Sequence, residues 1–312
     1  MAQRILFHVP RSWLGPLGAG LMPFYEKLTD GLSAAGVAFD LCALDRDQVM
    51  DQVAADAHFH IINHGRFEHP RILNAGVAYI YPFWNLDPLG IRAFSSIATA
   101  RFDPGSVDGD AAGPFFRRLR KRLVGARRSR YEQPEPVATD LPENAVSVFF
   151  QSEGHRIVGE TCYLERRQML ETVLACADGP VIVKPHPRDT DPETLDRLSA
   201  LSRDHPNLLI SGANIHDILA VSSRVVTINS AVGVEAYLHR KPVILCGQAD
   251  FHHIAQTAKS TDDLARYLQD PPRRRAYDKY IYWYFGLNCL STSDPQLTQR
   301  FLSRLRAHGY TG

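Results

Sequence analysis

Two short apolar runs, residues 181–183 and 225–228, each end abruptly in a polar cluster: Lys184-Pro185-His186-Pro187 after the first and Asn229-Ser230-Ala231-Val232-Gly233-Val234-Glu235 after the second. Continuous apolar runs of this length read as parallel strands buried on both faces. Both clusters should therefore open at the carboxyl edge of one α/β sheet, where ligands bind. His186 brings an imidazole able to hydrogen-bond or change charge near neutral pH. Ser230 stands where a helix begins, and free backbone N–H groups at such a start favour a phosphate. Together they point to a site for a nucleotide sugar.

At 312 residues the chain is long enough for two domains of about 150 residues. A net charge of +1 with 22% charged and 45% hydrophobic residues is that of a soluble globular protein and names no partner. Five scattered cysteines, Cys42, Cys162, Cys176, Cys246 and Cys289, show no metal-ligand spacing, so reduced thiols inside the cell are expected. Neither a signal-peptide core nor a run of about 20 apolar residues is present. The expected location is cytoplasmic, with at most a peripheral contact on the inner face of the membrane.

Residues 4–9, 38–43, 59–63 and 77–81 read as strands, and 24–35 reads as an amphipathic helix with Phe24, Leu28, Leu32 and Ala35 on one face. Residues 1–140 thus form one expected Rossmann-like domain, on the acceptor side. A basic linker near 103–144 is rich in Asp, Gly, Pro and Arg. A second domain, 145–290, alternates strands at 146–150, 181–183, 208–210, 225–228 and 243–245 with helices at 165–175, 192–202, 215–221, 231–239 and 262–269. That alternation predicts a parallel sheet. Two further helical patterns follow at 273–285 and 295–307, and the terminal segment 291–312 is expected to pack back on the first domain. The fold class expected is α/β and GT-B-like, two Rossmann-like domains facing across a cleft.

In order and spacing, Val148-Phe149-Phe150-Gln151, the segment 181–187, the segment 225–236 and Lys241-Pro242-Val243 resemble the capsule polysaccharide synthesis family. This family includes retaining β-Kdo transferases, which use CMP-Kdo. The histidine and serine motifs also resemble the CMP-binding motifs of bacterial GT-B sialyltransferases. The resemblance implies a CMP-sugar donor, an acidic sugar such as Kdo, and a surface polysaccharide or lipid-linked glycan acceptor. It further implies donor contacts from Gln151, Lys184, His186, Asn229, Ser230, Gly233 and Glu235, with ribose hydroxyls as the partner of Glu235. Leu86-Asp87-Pro88-Leu89-Gly90-Ile91 resembles the family stretch whose aspartate is the proposed covalent nucleophile. The chain departs from the family pattern at Tyr81-Pro82-Phe83-Trp84 and lacks the aromatic Gly-Trp-Gly run after Gly247.

Each of these residues also has a plainer reading. His186 between two prolines shapes a rigid strand end; Lys184 is a solvated strand end; Asn229 and Ser230 cap a helix. Asp87 before Pro88 starts a turn, whereas a retaining double displacement needs a carboxylate in line with the anomeric carbon. Glu153 either orients the acceptor hydroxyl or sits on a surface loop. Asp250 with His252-His253 lines a loop rather than holding a metal, since neighbouring side chains on an extended chain diverge. No metal or other cofactor is expected, because no Asp-x-Asp pair is placed to hold one against a diphosphate. The basic stretch 115–130 is either a solvated linker or a contact for anionic lipid or an acidic glycan. No nucleic-acid motif is present. The same fold with a UDP- or GDP-sugar, or a non-catalytic nucleotide-binding capsule assembly or export factor, fits the motifs as well.

Overall fold

The computed structural model describes residues 3–15, 18–151, 162–188, 192–271 and 273–312. The chain divides into two units, Met1–Ala100 with Phe285–Gly312, and Arg101–Tyr284.

The first unit holds strands β1 (Ile5–Val9), β2 (Phe39–Ala43), β3 (Phe59–Asn63), β4 (Ile72–Val77) and β5 (Phe83–Asp87). With β12 (Leu290–Ser291) they form one sheet in the order β12-β5-β4-β3-β1-β2. Strands β1 to β4 pair in parallel, but β5 and β12 run antiparallel to their neighbours. The expected strand at 77–81 is not formed. Tyr79 takes a left-handed φ of 64°, which breaks an extended run, and the chain reverses so that Val77 pairs with Trp84. Packed on this sheet are the helices Pro23–Ala34 and Leu297–Ala307. Phe7, Phe24, Trp84, Phe301 and Leu305 share one core, with Phe24 and Trp84 stacked at 4.4 Å. Burying a side chain such as Phe301 contributes about 2–3 kcal/mol. The close helix approach explains Gly31, where a Cβ would lie 2.0 Å from Thr298 Oγ1.

The second unit holds β6 (Ala145–Phe149), β7 (Val181–Lys184), β8 (Leu208–Ile210), β9 (Ser222–Thr227), β10 (Val243–Leu245) and β11 (Gln256–Thr257). Their order is β11-β10-β9-β6-β7-β8, and every neighbouring pair is parallel. Read from β8, this is the doubly wound order 3-2-1-4-5-6, whose direction reverses between β6 and β9. The crevice beyond the carboxyl ends of those strands is the place such a sheet offers to a ligand.

Unit boundaries differ from those read in the sequence. Residues 101–140 lie with the second unit. What read as a basic linker is largely the helix Gly109–Arg120, capped by Asp108 and continued as a π-turn over Lys121–Gly125. Ala112, Phe116 and Leu119 anchor it, and Pro114 inside it hid the helical pattern. Likewise the pattern at 273–285 is a short helix, Tyr277–Ile281, running into a π-turn. From Phe285 onward the chain belongs to the first unit. Among the described residues no helix is long and apolar enough to cross a membrane, and all five cysteines are free.

Candidate functional site

Beyond the carboxyl ends of β6, β7 and β9 lies a pocket walled by Phe149, Phe150, Lys184, His186, Ser230 and Glu235. Ser129, Arg130, Tyr131 and Gln133 close its other side. It sits at the switch point of the parallel sheet, and the two sequence motifs do meet there.

The His186 ring meets Tyr131 edge to face at 5.1 Å, and the Arg188 guanidinium lies 4.8 Å from the centre of the Tyr131 ring. Nδ1 of His186 accepts from the Arg188 backbone N–H at 3.2 Å. The neutral ring therefore carries its proton on Nε2, as a hydrogen-bond donor suited to a phosphate oxygen. Glu235, 2% exposed, accepts a hydrogen bond from Ser129. Its Oε1 has no partner among the described residues. Burial pushes its carboxyl up to about 7, with the Ser129 hydrogen bond opposing that rise. An unpaired buried carboxylate oxygen at a pocket wall is costly, and a pair of ligand hydroxyls would remove the cost.

Other residues singled out in the sequence hold the frame. Lys184 is not a solvated strand end; two of the three donors of its ammonium go to Gly212 O at 3.0 Å and Ala213 O at 2.7 Å, and burial lowers its pKa. Gln151 Oε1 accepts from the Asn229 backbone N–H at 3.2 Å, and Asn229 Nδ2 donates to Gln248 O. Both thereby fix the turn that presents Ser230. Ser230 precedes the N-cap, Ala231, of a seven-residue helix, Val232–Leu238, and its hydroxyl makes only a long 3.4 Å contact with Val232 N. Gly233 answers to packing rather than to a ligand, since a Cβ there would lie 2.8 Å from the Phe251 ring. Glu153 lies outside the described residues.

Asp87, in the first unit, is a loop organiser. Its Oδ1 accepts from the backbone N–H groups of Leu89 at 2.9 Å, Gly90 at 3.2 Å and Ser96 at 3.0 Å. Oδ2 accepts from the Ser96 N–H at 2.9 Å and the Ser96 hydroxyl at 2.6 Å. A carboxylate has about four lone-pair directions, and this one spends them on its own turn. Of the two readings held for Asp87, the geometry fits the turn residue rather than the nucleophile. His252 Nδ1 meets Ala249 O at 2.8 Å, and the His252 and His253 rings stack at 4.4 Å.

The strap over the pocket, residues 127–134, has no signature in the sequence. Arg127 pairs with Asp217 through Nε at 3.0 Å and Nη2 at 2.6 Å. Asn214 Nδ2 donates to the carbonyls of Arg127 and Pro134, and Gln133 Oε1 accepts from Ile215 N. The contacts bridge 80 residues and more of sequence, so no local pattern announces them. As held, the strap leaves only about 60 Å³ in the pocket, where a bound nucleotide needs several hundred.

A family model described as "Capsule polysaccharide biosynthesis protein" matches residues 162–286, which contain β7 to β11 and both pocket motifs. The chain resembles the capsule polysaccharide biosynthesis family. Two solved structures from Thermosulfurimonas dismutans have a similar fold. Its KpsC beta Kdo 2,7 transferase matches with a TM-score of 0.54 and 12% identity, over 89% of this chain and 88% of that one. Its KpsC beta Kdo 2,4 transferase matches with a TM-score of 0.54 and 14% identity, over 90% of each chain. Likeness at such low identity is one of fold: α/β and GT-B-like, with two Rossmann-like units. No curated protein matches the chain.

Proposed function

We propose that the protein is a glycosyltransferase of surface polysaccharide synthesis that takes a CMP-activated acidic sugar, most simply Kdo, and passes it to a glycan or glycolipid acceptor. The observation that carries this reading is the open carboxylate oxygen of Glu235, in one pocket with His186 and Ser230 at the switch point of a parallel sheet. Glu235 would accept from the ribose hydroxyls, which relieves its burial cost. His186 would donate from Nε2 to the phosphate oxygen that keeps the electron pair when the bond to the anomeric carbon breaks. A new bond forms to the oxygen of an acceptor hydroxyl, which gives up its proton to water. The family resemblance and the GT-B-like fold support this assignment.

Asp87 takes no part in this scheme, so anomeric retention through that residue is not proposed. Entry of a nucleotide requires the strap to lift, because the space beneath it is too small. No metal is proposed, since a CMP-sugar carries a single phosphate.

The test is nucleotide affinity and turnover of CMP-Kdo. CMP should stabilise the protein against heat more than UMP or GMP, and turnover should survive EDTA. His186→Ala should cut turnover at least about tenfold, a barrier change of about 1.4 kcal/mol. Unaltered kinetics in that variant would remove the reading. A preference for UDP or GDP would move the donor class, and CMP binding without release of sugar would make the protein a binding module.

A further inference from the structure

A second hollow of the same unit, about 580 Å³, opens where the helix Gly109–Arg120 and its π-turn meet the turn after the helix Val232–Leu238. Phe116, Arg117, Arg120, Lys121, His239 and Arg240 line it, and no Asp or Glu does. Arg117, Arg120 and Lys121 stand at helical spacings of three and four, on one face, where like charges repel one another.

Cations near a helix end offset its dipole, and Arg120 does this by donating from Nε to Leu238 O at 3.2 Å. That role does not extend to the rest. Among the described residues no carboxylate pairs with Arg117, Lys121 or Arg240. Arg240 is the telling residue. Its N–H donates to Tyr237 O and the Lys241 N–H to Ala236 O, closing the helix in the arrangement that usually takes glycine at this position. Arg240 accepts a φ of 57° there, a conformation disfavoured by its Cβ. Its guanidinium lies 4.8 Å from the centre of the Phe116 ring, which keeps it at the wall of the hollow. His239 adds no charge, because burial, first of all, pushes its pKa down to about 3. Its Nε2 meets His216 Nδ1 at 3.0 Å instead.

We propose that this hollow is a phosphate site. Guanidinium forks bind the oxygens of a phosphate pairwise, and four cations lining one hollow match a multiply charged tetrahedral anion better than a planar, singly charged carboxylate. The phosphate can come from the headgroup of an anionic lipid or from a soluble phosphate. The site is separate from the nucleotide pocket and does not depend on it.

The test uses the full chain and three probes: inorganic phosphate and glycerol phosphate by titration calorimetry, and vesicles of phosphatidylglycerol in phosphatidylcholine by flotation, with phosphatidylcholine alone as control. Binding is expected at low salt and should weaken as salt rises. Arg117→Glu with Lys121→Glu should weaken it at least about tenfold. Arg240→Gly should weaken it about threefold while the thermal midpoint holds or rises, because glycine suits the turn; lost affinity is then not lost fold. Cytidine affinity, read at the other pocket, should stay the same in both variants. Binding to vesicles alone assigns the source to lipid headgroups, binding to soluble phosphates alone to free phosphate, and both outcomes support the site. Three results overturn it: no binding of any probe at low salt, undiminished binding by the charge-reversed protein, or polyglutamate bound as tightly as phosphate.

Discussion

Asp87 in the first unit and Glu235 in the second are both buried carboxylates, 5% and 2% exposed, yet their surroundings are opposite. Asp87 accepts from three backbone N–H groups and one hydroxyl, all within nine residues. Glu235 has one hydroxyl partner and an oxygen with none. A carboxylate fully engaged by its own loop has finished its work on folding. One left half-engaged at a pocket wall destabilises the empty protein and waits for a ligand. The same contrast runs through the sheets: the second is wholly parallel with a pocket at its switch point, while the first carries two antiparallel pairs and at the carboxyl end of β3 Tyr25 donates to Asn63 Oδ1 at 2.9 Å.

The largest expected effect tests Asp87. Removing its carboxylate with Asp87→Ala strands one buried and several partly buried donors, each costing about 1–3 kcal/mol at most, so urea denaturation should show a loss of about 3–5 kcal/mol. Asp87→Asn keeps one acceptor oxygen and should lose about half of that. The comparison breaks if Asp87→Asn is as stable as the parent, binds cytidine normally and has no turnover, since that pattern belongs to a nucleophile.

Glu235 should behave in the reverse sense, and pH shows it. Its folded pKa of about 7 stands above the ordinary 4.5, so folding favours the protonated form. The stabilising contribution is complete below pH 4.5 and is lost as pH rises through 7. Glu235→Gln should match the parent near pH 4.5 and exceed it near pH 8 by about 3 kcal/mol in urea denaturation. Its cytidine affinity should fall about tenfold. In the parent, ribose hydroxyls favour the ionised carboxylate, so cytidine, which carries no phosphate to confuse the titration, should bind more tightly as pH rises from 5 to 8. A stability gap that does not change with pH would mean that the carboxyl is already paired.

Much of the second unit was legible in the sequence, because continuous runs of Val and Ile bounded by Pro, Gly and Asn announce buried parallel strands. The convergence of His186, Ser230 and Glu235 was legible for the same reason, each following or flanking such a strand. What stayed hidden depends on backbone or on distant partners. Strand β4, with its Asn74, Ala75 and Gly76, has little strand propensity and is set by its neighbours. Three of the four donors to Asp87 are main-chain N–H groups that no side-chain pattern encodes. The strap depends on Arg127 meeting Asp217, 90 residues away, and Gly233 depends on Phe251.

Lys184 gives a middle-sized test of frame against site. Lys184→Met removes the bonds to Gly212 O and Ala213 O while keeping the buried stem. A loss of about 1–3 kcal/mol in stability is expected, with cytidine affinity falling in proportion to that loosening. A large fall in CMP affinity at unchanged stability would return Lys184 to the phosphate.

The smallest effect is the most discriminating, because Ser230 does almost nothing for the fold. Its hydroxyl makes one 3.4 Å contact, so Ser230→Ala should change stability by less than about 0.5 kcal/mol. If Ser230 meets the donor phosphate, the variant should lose about tenfold in affinity for CMP and nothing for cytidine, since a hydrogen bond to a charged phosphate oxygen is worth about 1.5 kcal/mol. The difference between the two ligands isolates the phosphate, as the nucleoside is common to both. Equal losses for CMP and cytidine would place Ser230 at the nucleoside instead and turn the ligand end for end in the pocket. Glu235 would then face the phosphate, where two negative charges repel, and the ribose assignment of its open oxygen would fall with it.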